Sequence, residues 1–133
     1  MRPRCSTVEQ ELARLAGRQH GIVTRPELLA AGVSAAGIQR RIRKGTLHPE
    51  YPGVYGVGHK APSVESRYMA AVKACGEGAV LSGRAAAHLF SLINGPPPPP
   101  EVTTRGWRRV KGVVTHRSHE VQTTRHRGIP VAT

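Results

Sequence analysis

The apolar residues of the first third of the chain recur at helical spacing, and polar stops divide them into three segments. Val8, Leu12, Leu15 and Ala16 fall on one face of a helix read from Ser6 to Gln19, and Ser6 with Glu9 has the spacing of a capping box. Gly21 stops that helix, and Ile22-Val23 reads as a short extended link. Thr24 opens a second helix with Glu27 as its capping partner and Pro26 in the first turn, where a missing donor costs nothing. Leu28, Leu29 and Ala30 fill it, and Gly32 closes it as a left-handed cap. Ser34 opens a third helix, Val33 and Ile38 have the spacing of a hydrophobic staple, and Gly45 ends the run. On a helical wheel Ala35, Ile38 and Ile42 point one way. Arg40, Arg43 and Lys44 point the other, with small Ala36 and Gly37 beside them and Arg41 on the flank.

The period then changes. "LHPEYPGVYGV" reads as a hairpin, with Leu47-His48 and Val54, Tyr55 and Val57 as strand pieces and Glu50 to Gly53 as the turn. Three helices followed by a hairpin is the order of a winged helix-turn-helix. Beyond it, Pro62 and Ser63 open a fourth helix running to about Ala74, with Val64, Met69, Val72 and Cys75 as its apolar positions. Val80-Leu81 is a short extended link, and Ser82 caps a fifth helix running to Leu92. "NGPPPPP", Asn94 to Pro100, ends all helix and predicts a stiff polyproline II spacer. Short strands are expected at Val102 to Thr104, Val110 to Arg117 and Ile129 to Val131, the last leaving an unpaired edge. The expected fold is therefore α+β. Residues 1–60 form a winged helix-turn-helix, 61–95 a helical connector, and 96–133 a proline-rich linker with part of a small mixed α/β second domain.

Charge turns this outline toward function. Twenty Lys and Arg oppose eight acidic residues, all Glu, for a formal net charge of +12. Such a balance predicts a polyanionic partner, nucleic acid first and an anionic membrane second. Only 4% of the residues are aromatic, which disfavours the stacking platforms of single-strand binders. No apolar run reaches the roughly 18 residues of a membrane span. "MRPRCSTVEQEL" has no apolar signal core, so the reading is a cytoplasmic protein without a membrane partner, in which Cys5 and Cys75 are reduced thiols.

The third helix is the expected recognition helix. Base reading needs side chains near its start. Ser34 is a candidate contact there, but with Ala35, Ala36 and Gly37 it offers few donors. Gln39 and Arg40 are the best base readers, since Gln can pair bidentately with adenine and Arg with guanine. Arg43 and Lys44 are expected on phosphates, which position a protein without specifying sequence, and Arg41 on the flank is a further candidate DNA contact. Arg25 at the start of the second helix is a further phosphate contact, and His48 with Tyr51 could approach the backbone from the hairpin. Glu50 in the hairpin turn would repel phosphate. Seven Arg and Lys between Arg105 and Arg127 either add sequence-independent attraction or form a plain charged surface.

Other chemistries find little support. His116, His119 and His126 sit in strand and loop context without Cys or Asp neighbours, so no metal site is expected. Ser82 beside Gly83, with His88 nearby, lacks an elbow motif or an acidic partner and reads as a helix cap. No catalytic residue, enzyme activity or cofactor is expected.

"LARLAGRQHGIVTRPELLAAGVSAAGIQRRIRKGTLHPEYPGVYGVGH" resembles the N-terminal domain of AbiEi-family antitoxins, and "IQRRIRKGTLH" with "GVYGVGH" carries most of the likeness. "AVLSGRAAAHLFSL" and "GVVTHRS…RGIPVAT" are similar to stretches that follow in that group, where relatives continue into a further helix. The resemblance implies a winged-helix transcriptional repressor that binds double-stranded DNA at its own promoter and is paired with a nucleotidyltransferase toxin in a type IV toxin–antitoxin system. Some relatives carry a second half related to very-short-patch-repair endonucleases. The alternative is thus the DNA-targeting half of such a protein, with the catalytic half absent from this chain. With no Asp, the usual two-carboxylate metal site of such a nuclease cannot be assembled here. A third reading is a protein-binding adaptor that uses the winged helix without DNA.

Overall fold

The computed structural model describes residues 7–58, 63–106, 109–120 and 122–132. The chain is α+β and divides into two units, Met1–Ala61 and Pro62–Thr133.

The first unit runs α1 (Val8–Arg18), β1 (Ile22–Thr24), α2 (Arg25–Ala30), α3 (Ala35–Lys44), β2 (Leu47–Tyr51) and β3 (Val54–Val57). Helix α1 begins later than the sequence suggested. Its cap is Thr7, whose hydroxyl accepts from the Gln10 amide while the Gln10 side chain accepts from the Thr7 amide. Ser6, the expected cap, and Cys5 lie outside the described residues. Glu9 is thereby released from capping. The Thr24–Glu27 box at α2 forms as expected, and Gln19 donates to both the Glu27 carboxylate and the Ile22 carbonyl.

The α2–α3 connection is a Schellman motif. Gly32, at φ +100°, donates to Leu29 at 3.1 Å, and Val33 donates to Leu28 at 3.0 Å. Val33 and Ile38 then enter the core with Leu12, Ala16, Val23, Leu28, Leu47 and Tyr55, so the staple anchors the start of α3. A second Schellman motif ends α3: Gly45 donates to Ile42 and Thr46 to Arg41. Ile22-Val23, read as a link, is a strand. β1 pairs antiparallel with β3, Val23 opposite Tyr55, in a sheet of order β1-β3-β2. Three residues are too few for an alternating pattern to announce a strand. The hairpin is also longer than expected. β2 extends through Tyr51 with Glu50 in a bulge, which leaves Pro52-Gly53 as the turn.

The second unit contains α4 (Val64–Ala74), β4 (Val80–Leu81), α5 (Gly83–Leu89), β5 (Glu101–Thr104), β6 (Val114–Arg117), β7 (Thr123–His126) and β8 (Ile129–Ala132). Its sheet has the order β6-β5-β4-β8-β7. The helices read as a connector lie in the same compact unit as these strands. Val80-Leu81 is not a link but the central strand. The expected unpaired edge at Ile129 to Val131 is overturned as well. β8 is flanked by β4 and β7, and Ile129 and Val131 are fully buried. β7, a polar strand of four residues, gave no apolar signal. Nor is the proline run a spacer. Pro98 and Pro100 are buried, and the buried Tyr68 hydroxyl of α4 donates to the Pro98 carbonyl at 2.8 Å. An extended run without amide hydrogens still offers carbonyls, and here one satisfies a core tyrosine.

Candidate nucleic-acid interface

Helix α3 carries the strongest concentration of chemistry in the first unit. Its inner face holds Ile38, fully buried, and half-buried Ile42. Gly37 is buried too, and so is not the small outward residue expected at a groove. A β-carbon there would come within 3.2 Å of both the Ser34 hydroxyl and a Val33 methyl, so glycine makes room for the cap and the staple. Ala35, expected to face inward, is exposed. The outward surface is therefore Ala35, Ala36, Gln39, Arg40, Arg43 and Lys44, with no acidic residue in the helix. Among the described residues, none of Gln39, Arg40, Arg43 and Lys44 makes a side-chain hydrogen bond or an ion pair. The Arg40 guanidinium leans back toward the first turn of α3, 3.6 Å from where a Gly37 β-carbon would lie.

Three of the other expected contacts, Ser34, Arg41 and His48, are already engaged in the fold. The Ser34 hydroxyl accepts from the Gly37 amide at 3.0 Å as the α3 cap. Arg41 reaches away from the exposed stripe to α1, where the two oxygens of Glu9 receive its two terminal nitrogens, Nη1 at 3.2 Å from Oε1 and Nη2 closer to Oε2. The hydrogen bond to Arg41 holds the Glu9 carboxyl below the usual carboxylate range, and the same bond raises the Arg41 guanidinium. No sequence signal marks this pair, because 32 residues separate its members. His48 donates from Nε2 to the Gly58 carbonyl, closing the base of the hairpin. Arg25 is half-buried at the start of α2, but that helix end offers no spare donors. The Arg25 amide donates to Gly53, Pro26 has none, and the Glu27 amide donates to Thr24. Glu50 folds over β3, its carboxylate 3.2 Å from the position of a Gly56 β-carbon.

The second unit has its own polar cluster. Glu101 accepts from the Arg84 amide at 3.1 Å, at the N-terminus of α5, and pairs with His116 at 2.7 Å. Gly83, at φ +59°, makes this contact possible, since a β-carbon would overlap the Glu101 carboxylate at 2.2 Å. Ser82 precedes α5 but makes no side-chain cap bond; its hydroxyl accepts from Thr103 at 2.8 Å. The carboxylate of Glu101 reaches that helix end in its place. A shallow pocket nearby is lined by Thr104, Arg109, Thr115, His116 and Arg117. Its polar groups are largely committed: His116 to Glu101, Arg117 to His119, and Thr104 to the Gly106 carbonyl. Among the described residues, no three His, Cys, Asp or Glu side chains are grouped to hold a metal ion, and no helix is long and apolar enough to cross a membrane.

Residues 10–58 match the model of the family described as transcriptional regulator, AbiEi antitoxin. The chain thus matches the AbiEi antitoxin family of transcriptional regulators across α1 to β3, the stretch that contains "IQRRIRKGTLH" and "GVYGVGH". No curated protein matches the chain.

Proposed function

We propose that the first unit is a winged helix-turn-helix that binds double-stranded DNA sequence-specifically, with α3 in the major groove and the β2–β3 hairpin as its wing. The protein is then a cytoplasmic repressor of its own promoter, acting as the antitoxin beside a nucleotidyltransferase toxin. One observation carries this reading. The outward stripe of α3 gathers Gln39, Arg40, Arg43 and Lys44 with no acidic residue in the helix and no partner among the described residues, on a helix capped by Ser34 at its start and closed by a Schellman motif at its end. Basic residues in a last helical turn also favour the helix dipole. That effect accounts for Arg43 and Lys44, but not for Gln39 or for Arg40 leaning toward the first turn.

The expected contact set narrows to Gln39 and Arg40 on base edges and Arg43 and Lys44 on phosphates. Ser34 and His48 hold the interface in shape, and Arg41 is occupied by Glu9. Arg25 is left as a peripheral phosphate contact. Selection from a pool of random duplexes with the full chain tests the reading. Enrichment of one sequence motif is expected. A pool that stays random after repeated rounds would overturn it. A nucleotidyltransferase gene adjoining this one would support the antitoxin role.

A further inference from the structure

We propose that Glu9 sets the sequence-independent affinity of the DNA interface: its carboxylate holds Arg41 as a backbone phosphate would, and so withholds one cation of α3 from DNA phosphates. The proposal rests on the DNA-binding reading above and concerns the α3 cation that the fold occupies.

The geometry is the two-pronged fork by which a guanidinium recognises a phosphate or a carboxylate, both terminal nitrogens meeting both oxygens. The Arg41 side chain is only 22% exposed, whereas Arg40, Arg43 and Lys44 are exposed and unpaired among the described residues. Glu9 itself is 70% exposed, and an ion pair so open to water adds little to stability. A strut alone is therefore a weak account of it. The neighbouring acid behaves differently: Glu11 pairs within its own helix, with Arg14 three residues on. Glu9 instead reaches across to α3.

Phosphate contacts tighten binding to every duplex alike, while base contacts favour one. A fourth available cation on α3 would raise affinity for right and wrong sequences alike without adding any base reading. By occupying Arg41, Glu9 holds down the affinity of α3 for any duplex and leaves the choice of sequence to Gln39 and Arg40.

The test titrates the full chain against a selected site and a scrambled duplex at several salt concentrations, for wild type, Glu9→Gln, Arg41→Ala and the double variant. Glu9→Gln is expected to steepen the dependence of log affinity on log salt by about 0.9, the increment for one more phosphate neutralised. It should also tighten the selected site and the scrambled duplex by the same factor. Arg41→Ala should keep the wild-type slope, and the double variant should return to it. An unchanged slope in Glu9→Gln overturns the proposal. So does a shallower slope in Arg41→Ala, because Arg41 would then already sit on a phosphate. Steepening that persists in the double variant also overturns it, since Glu9 would then act without Arg41. A large fall in the melting temperature of Glu9→Gln would make the pair a strut and overturn it too. If wild type binds no duplex at any salt, the DNA-binding reading itself is what fails.

Discussion

Replacing Gly32 by alanine should damage the first unit in a way that separates two physical costs. Gly32 sits at φ +100°, and its amide closes α2 by donating to Leu29. A residue bearing a β-carbon loses roughly 1–2 kcal/mol in the left-handed region. Crowding adds to that strain, since the new β-carbon would stand 3.3 Å from a Val8 methyl of α1. Gly53 in the hairpin turn is the natural control. It has φ +78° and nothing within 4 Å of where a β-carbon would stand, so Gly53→Ala carries the backbone strain alone. For a domain of this size each kcal/mol lowers the melting temperature by about 4–8 °C. Gly53→Ala should therefore melt lower by a few degrees to about 16 °C. Gly32→Ala should melt lower still, and the Val33 amide, which donates to Leu28, should lose hydrogen-exchange protection in it. Thermal melts followed by circular dichroism, with exchange read at that amide, make the comparison. If Gly32→Ala melts at or above Gly53→Ala, the turn joining α2 to α3 is not held as described.

Three further outcomes follow from the packing and the charges. Ile38→Ala removes a fully buried core side chain and should cost about 2–5 kcal/mol in a denaturant titration; a loss under about half a kcal/mol, well below that range, would deny Ile38 its anchoring role. Tyr68→Phe strips the buried Pro98 carbonyl of its donor and should cost about 1–3 kcal/mol, with melting unchanged as the contrary result. The Glu9 carboxyl is held below its ordinary 4.5, so its contribution to stability is present above that pH and fades as pH falls through the lowered native value. Any melting difference between wild type and Glu9→Gln should accordingly disappear toward strongly acid pH, and one that grows there would reverse the sign of the linkage.

The parts of this fold that are legible in the sequence are those governed by local rules. Thr24 with Glu27, Ser34, Gly32 and Gly45 act within a turn of their own position, and each forms the cap its spacing suggested. The Val33–Ile38 staple is local as well, and both residues lie in the core. Short strands escape because their partners are remote. Ile22-Val23 and Val80-Leu81 carry too few residues to show a period, and only their neighbours, β3 for the first and β5 and β8 for the second, make them strands. Thr123 to His126 has no apolar residue to betray it. The candidate interface divides the same way. The exposed stripe of Gln39, Arg40, Arg43 and Lys44 follows from helical periodicity. The commitment of Arg41 to Glu9 and of His48 to Gly58 depends on chain segments meeting in space. Gly37 takes the inner face against expectation because a small residue looks alike on either face, and there it leaves room for the Ser34 hydroxyl and the Val33 methyl.

The central claim is that α3 reads DNA, and the salt dependence of binding by variants of its exposed stripe addresses it most directly. In a titration of a selected site and a scrambled duplex, Arg43→Ala combined with Lys44→Ala should weaken both duplexes alike and shallow the salt slope by about 0.9 for each phosphate no longer neutralised. Arg40→Ala should instead cost about 1–3 kcal/mol on the selected site and relax the choice of one base. If all three substitutions leave both affinities and the slope as in wild type, the stripe is a solvated surface and α3 does not read DNA.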